Sequence, residues 1–168
     1  MEISFGLINA YNVSLWIHIT AAVVGLGATF AESILMSVTM KSEPRHMPLV
    51  FRIQLTINRY FAQPALLLII ATGIYQVAGY DYWDFGSFWI SASFMIVLIL
   101  GGLTGGYFIP TDKKLLKVSE RDIKASGDGP VEFSEEFTRL SRGEALFGPV
   151  SGFLVVAAIF LMVVKPGA

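Results

Sequence analysis

The chain alternates between long apolar runs and charged stretches. Four runs, residues 13–40, 61–78, 88–110 and 145–164, contain a single ionisable acid, Glu32, and no lysine or arginine. Each is about twenty residues or longer, the length a helix needs to cross roughly 30 Å of hydrocarbon. A core helix of a soluble domain is neither so long nor so evenly apolar on every side. The pattern predicts an all-α polytopic membrane protein, a single domain over residues 1–168 folded as a four-transmembrane-helix bundle with loops at 41–60 and 111–144.

The two loops carry patterns of their own. Pro44 and Pro48 break the first, and Phe51, Ile53, Leu55 and Ile57 then alternate with polar neighbours, which reads as an interfacial entry into the second span. In the second loop, residues 112–124 read as a helical extension of the third span, ended by the Ser126-Gly-Asp-Gly-Pro130 break. Phe133, Phe137 and Leu140 recur at helical spacing opposite Glu135 and Arg139, which predicts a short helix lying on the cytoplasmic interface.

Charge then orients the bundle. The net charge is only -1, yet eleven of the twelve lysines and arginines lie in the two loops, and Lys165 alone marks the opposite end. By the positive-inside rule both loops face the cytoplasm and both termini face outside. Tyr11 and Trp16, with Tyr80, Tyr82, Trp83, Phe85 and Trp89 around the outer turn, predict an aromatic belt at headgroup level. The first run is too long for a signal-peptide core and contains Glu32, so it is expected to remain as a span. The chain has no cysteine, which excludes disulfides, thiolate metal sites, iron–sulfur clusters and thioether-linked haem. Its basic residues border the spans and form no separate patch, which argues against nucleic-acid binding.

An imidazole or carboxyl inside a membrane points to function, because it is unfavourable there unless partnered. The first span holds one of each, His18 and Glu32. They fall within about 40° of one another on one helix face, about 21 Å apart along the axis. Ala21, Ala22, Gly25, Ala28 and Thr29 lie between them, small enough to admit another helix or a flat ligand. For His18 one reading is a satisfied polar residue bonded to Gln76, Ser91 or interfacial water. A second is a metal ligand, holding the iron of a haem b, with Met162 or Met95 at its level as second ligand and Gly25 in the slot, and a third is a proton-coupled or regulatory role. His46 sits in the opposite, basic loop. Glu32 reads either as a proton or cation site or as one half of a pair with Arg59 or Asn58 that ties the first two helices. Gly101, Gly102, Gly105 and Gly106 in the third span, and Gly148 and Gly152 in the fourth, predict ridges for close helix packing.

Two stretches carry a resemblance to a family: residues 16–27, from Trp16-Ile-His18 to Gly25-Leu-Gly27, and the terminal Phe160-Leu-Met162-Val-Val-Lys165-Pro166-Gly167. Together with residues 64–73 and Gly106-Tyr-Phe-Ile-Pro110, they resemble the bacterial predicted integral membrane proteins of the domain of unknown function 2269. That resemblance implies a bacterial inner-membrane location and a fold, but no reaction. The first span is also distantly similar to membrane proteins of the copper-resistance D type and to haem-dependent membrane protoporphyrinogen oxidases, with His18 matching a histidine and Gly27 a glycine. Gly25 stands where a tryptophan is expected, and no second intramembrane histidine or lysine completes an oxidase-like site.

Three functional readings remain open. The protein is a haem-b-binding or redox-associated membrane subunit using His18; or it is a non-catalytic accessory subunit of a larger respiratory-type complex or homo-oligomer; or it moves protons or cations through Glu32. No nucleotide motif, hydrolase triad or large external domain is present, which argues against an enzyme acting on soluble substrates.

Overall fold

The computed structural model describes residues 9–79 and 84–167; Tyr80, Tyr82 and Trp83 of the expected aromatic belt lie outside them. Helix α1 (Ala10–Ser42) is capped by Asn9, whose side-chain oxygen accepts from the Asn12 N–H at 2.8 Å. At 1.5 Å per residue it is about 50 Å long, so one end must project beyond the hydrocarbon. A 3-10 turn, Pro44–His46, then redirects the chain.

Most of the expected loop at 41–60 is helix. Helix α2 (Met47–Ile57) carries Pro48 in its first turn, where no intrahelical donor is lost, and buries Met47, Val50, Phe51 and Gln54. That i, i+3, i+4, i+7 spacing is helical and outweighs the short alternation that suggested an interfacial entry. A π turn, Asn58–Ala62, carries α2 straight into α3 (Gln63–Ala78). The third span repeats the device: α4 (Phe88–Leu103) passes through a π turn, Thr104–Phe108, into α5 (Ile109–Ser126). Pro64 and Pro110 come just after these turns, and the residues four back, Tyr60 and Gly106, lie inside them. A proline cannot donate to the carbonyl four residues earlier, and the wider turn accommodates that gap.

The segment expected as a separate interfacial helix is the start of α6 (Glu135–Val164). Ser134 caps it, and Glu135 and Glu136 meet the positive end of its dipole. It ends at Lys165, whose left-handed backbone (φ 49°) lets its N–H donate to the Leu161 carbonyl.

Four helical stretches are thus long and apolar enough to cross a membrane: Ala10–Ser42, Pro44–Ala78, Phe88–Ser126 and Glu135–Val164. They turn bulky apolar side chains outward, with Trp16, Leu67, Phe153 and Val163 each about two-thirds or more exposed. Such a coat is unfavourable in water and suits lipid.

Inside the membrane α1 packs chiefly on α3, and α4 on α6. The first pair meets at Gly25, where a Cβ would collide with that of Ala65, while Ala21, Ile69 and Val97 fill the seam. Gly101 makes similar room for Leu66, and Gly152 faces Phe30. Gly102, Gly105, Gly106 and Gly148 face open space, so this part of the expected ridge packs against nothing among the described residues.

Beyond the spans, at the basic end, α2, α5 and the start of α6 enclose Met47, Val50, Phe51, Leu115, Val118 and Phe137. Phe137 meets Phe51 edge-on at 6.2 Å and stacks on Phe133 at 4.0 Å, so this aromatic face seals a protein core and does not lie on the membrane. Asp122 closes the adjoining loop by accepting from the Ser134 N–H at 2.9 Å, the Ser134 hydroxyl at 2.7 Å and Arg121 at 3.0 Å. Burial would raise the Asp122 carboxyl, but these donors outweigh it and hold it below the usual carboxylate range.

Candidate functional site

His18 lies two turns into α1, half-buried against α3. Its Nδ1 is 2.8 Å from the Thr72 hydroxyl oxygen. That hydroxyl has one proton and directs it to the Leu68 carbonyl at 2.5 Å, one turn back along its own helix. Thr72 therefore accepts from His18, and Nδ1 carries the ring's hydrogen. The Ile69 carbonyl lies 3.3 Å from the same hydroxyl. The neutral ring then has its lone pair on Nε2. Gln76 and Ser91, the partners expected from the sequence, are engaged elsewhere: Gln76 donates to Ser14 at 3.3 Å, and Ser91 to the carbonyls of Ser87 and Phe88.

Because the two helix pairs are joined less tightly to each other than within themselves, a partly open cavity of about 250 Å³ remains between them at this end. His18, Gly73, Trp89, Phe94 and Met162 line it, with Lys165 at the end of α6. A Cβ at Gly73 would lie 3.4 Å from the Phe94 ring and 3.5 Å from His18 Cε1, so the glycine keeps a slot beside the imidazole. The Lys165 ammonium sits 5.5 Å from the centre of the Trp89 ring.

The structure brings Met162 to the cavity but not Met95, which is 59% exposed on the outer face of α4. Gly25 does not join it either, being covered by Ala65. His46, at the opposite end, is exposed beside Glu43.

Glu32 does not pair with Arg59. The π turn carries Arg59 to the surface, where its guanidinium lies over Tyr60 at 5.5 Å. Asn58 is buried, with no hydrogen bond to Glu32. Glu32 instead faces two carboxyl groups that sequence reasoning missed, Asp112 of α5 and Glu144 of α6. Asp112 and Glu144 are both buried, and their carboxyl groups interact, so two negative charges there are unfavourable. One oxygen of Glu32 and one of Glu144 have no hydrogen-bond partner, nor has the Ser141 hydroxyl one turn before Glu144. Among the described residues none of the three acids forms an ion pair, and no trio of such side chains converges with metal-ligand spacing. The arrangement suits holding a proton better than holding a divalent metal. The available signal was that Asp112 and Glu144 each flank an apolar run at the same end of the bundle as Glu32.

Neither curated proteins nor solved structures gave a match to this chain. A family model does match, over residues 12–166, from the first turn of α1 to just past the end of α6. The four long apolar helices, their lipid-facing coat and that match agree: the chain belongs to the family of predicted integral membrane proteins designated domain of unknown function 2269.

Proposed function

We propose that this protein is a membrane haem protein in which His18 would hold the iron of a haem b. The observation that carries the reading is the Thr72 hydrogen bond. Metal-ligating histidines characteristically donate their other ring N–H to an acceptor that fixes tautomer and orientation, and Thr72 Oγ1 is such an acceptor for Nδ1. The surroundings suit the group. Gly73 leaves a slot, Phe94 and Trp89 give apolar walls, Met162 supplies a soft thioether on the facing helix, and Lys165 offers a cation to an anionic edge such as a propionate. The cavity is below the roughly 300–1,000 Å³ of ordinary ligand sites, so entry of a macrocycle requires the two helix pairs to part. When bound, a haem supplies one-electron chemistry; the outward glycines Gly102, Gly105, Gly106 and Gly148 would let such a subunit pack against partner helices.

The test is a haemin titration of purified protein. A Soret band is expected to develop with wild type and to be lost in His18→Ala. Thr72→Val should bind about 10–100-fold more weakly, as loss of an outer-shell partner does. Equal binding by His18→Ala would defeat the proposal.

A second reading rests on Glu32, Asp112 and Glu144. Three carboxyls without a cation are unfavourable at the edge of a bilayer and are retained where they relay protons. Proteoliposomes should then carry a proton flux that disappears in Glu144→Gln; unchanged flux would remove this reading.

A further inference from the structure

A second, polar hollow opens at the opposite end of the bundle, where Arg59 has been turned outward. It is about 530 Å³ in volume and partly open, between the π turn at Asn58–Ala62 and the start of α5. Arg59 and Lys113 line it from the two sides, together with Thr56, Tyr60 and Gln63, and it holds no acidic side chain. Two cations that face one hollow repel each other, so the site lacks a counter-charge. Among the described residues Arg52 pairs with Glu120 and Arg121 with Asp122 and Glu136, but Arg59 and Lys113 enter no ion pair.

Depth identifies the missing anion. Arg59 lies two residues before the apolar run that starts at Phe61, and Lys113 three residues after Pro110, where the third run ends. Both therefore stand at the level of lipid headgroups, on the end that carries eleven of the twelve basic residues. Leu55 and Ile109 give the hollow apolar edges. A guanidinium can bind two phosphate oxygens at once, the ammonium adds a point charge, and the Thr56, Tyr60 and Gln63 side chains can donate to the rest. π turns recur at binding sites because they re-aim side chains, and here the turn separates Arg59 from the helix interior.

We propose that Arg59 and Lys113 form a phosphate-binding site that takes the headgroup of an anionic phospholipid. The site is independent of the haem reading, since it shares no residue with the His18 cavity.

The test is native mass spectrometry of the full chain released from nanodiscs of phosphatidylcholine with one-fifth phosphatidylglycerol, with a parallel titration of inorganic phosphate in detergent. Wild type should retain phosphatidylglycerol in preference to phosphatidylcholine. The double variant Arg59→Gln/Lys113→Gln should reduce that retention about tenfold, while Lys114→Gln/Lys117→Gln, which removes the same charge from α5 outside the hollow, should leave it intact. Equal loss in both double variants would reduce the effect to general surface charge and overturn the site. Retention unchanged in Arg59→Gln/Lys113→Gln would also overturn it. Saturable binding of inorganic phosphate that depends on Arg59 and Lys113, without lipid retention, would keep the phosphate site and overturn the lipid as its source. Folding of each variant is checked by its melting temperature beside wild type.

Discussion

The two ends of this bundle are built on opposite plans. At the basic end the helices run past the membrane and close over a dry core in which Met47, Phe51 and Leu115 are wholly buried. At the other end the same helices stop near the membrane surface, the α1–α3 and α4–α6 pairs stand apart, and a cavity opens beside His18. The closed end can therefore hold the four helices in register while the open end keeps space and an oriented imidazole. Stability and ligand binding are concentrated in different regions, so substitutions should separate them.

The largest expected contrast is between Phe51→Ala and Val163→Ala. Emptying the site of a fully buried phenylalanine costs about 3–5 kcal/mol, whereas trimming an exposed valine changes stability by about 0.5 kcal/mol or less. Denaturant unfolding in detergent would reveal the difference; equal effects would erase the division between the ends. Next comes Gly25→Val against Gly102→Val. The first forces α1 away from Ala65 and should cost about 1–3 kcal/mol, while the second meets nothing among the described residues and should be close to neutral by the same measurement.

Acid should act on the closed end first. The Asp122 carboxyl is held low in the folded state, so its contribution is fully present above its unfolded value of about 4 and is lost as pH falls through the folded value. The melting temperature should drop as pH falls below about 4 in wild type and drop less in Asp122→Asn, in which the group no longer titrates. The smallest effect belongs to Arg52→Ala. Its pair with Glu120 spans only 2.5 Å, but both side chains are largely solvent-exposed, so the loss should be at most about 1 kcal/mol and should shrink with added salt.

Hydrophobic periodicity encodes some of this architecture and leaves the rest silent. The four spans were readable from the sequence because length and uniform apolarity specify a membrane helix without any knowledge of packing. His18 and Met162 were readable as neighbours because topology alone sets depth, and both lie near the same end. Rotation about each helix axis was not readable. A helix that is apolar all round gives no sign of which face is inward, so Met95 and Gly102 looked as suitable as Met162 and Gly101. The π turns added to the difficulty: each shifts the register of the helix beyond it, which turned Arg59 away from Glu32. Asp112 and Glu144 were hidden for another reason. Residues 112–124 were expected to be helical, but standing just outside the apolar runs Asp112 and Glu144 gave no sign that α5 and α6 turn them inward to be buried near Glu32.

The most direct test of the open end is the reduced-minus-oxidised absorbance spectrum of the protein purified from its own membranes, recorded for wild type and His18→Ala after both are shown to melt alike. A haem-type Soret and α-band difference in wild type, absent from the variant, is the predicted result. A colourless wild-type protein that gains no Soret band on addition of haemin would contradict it.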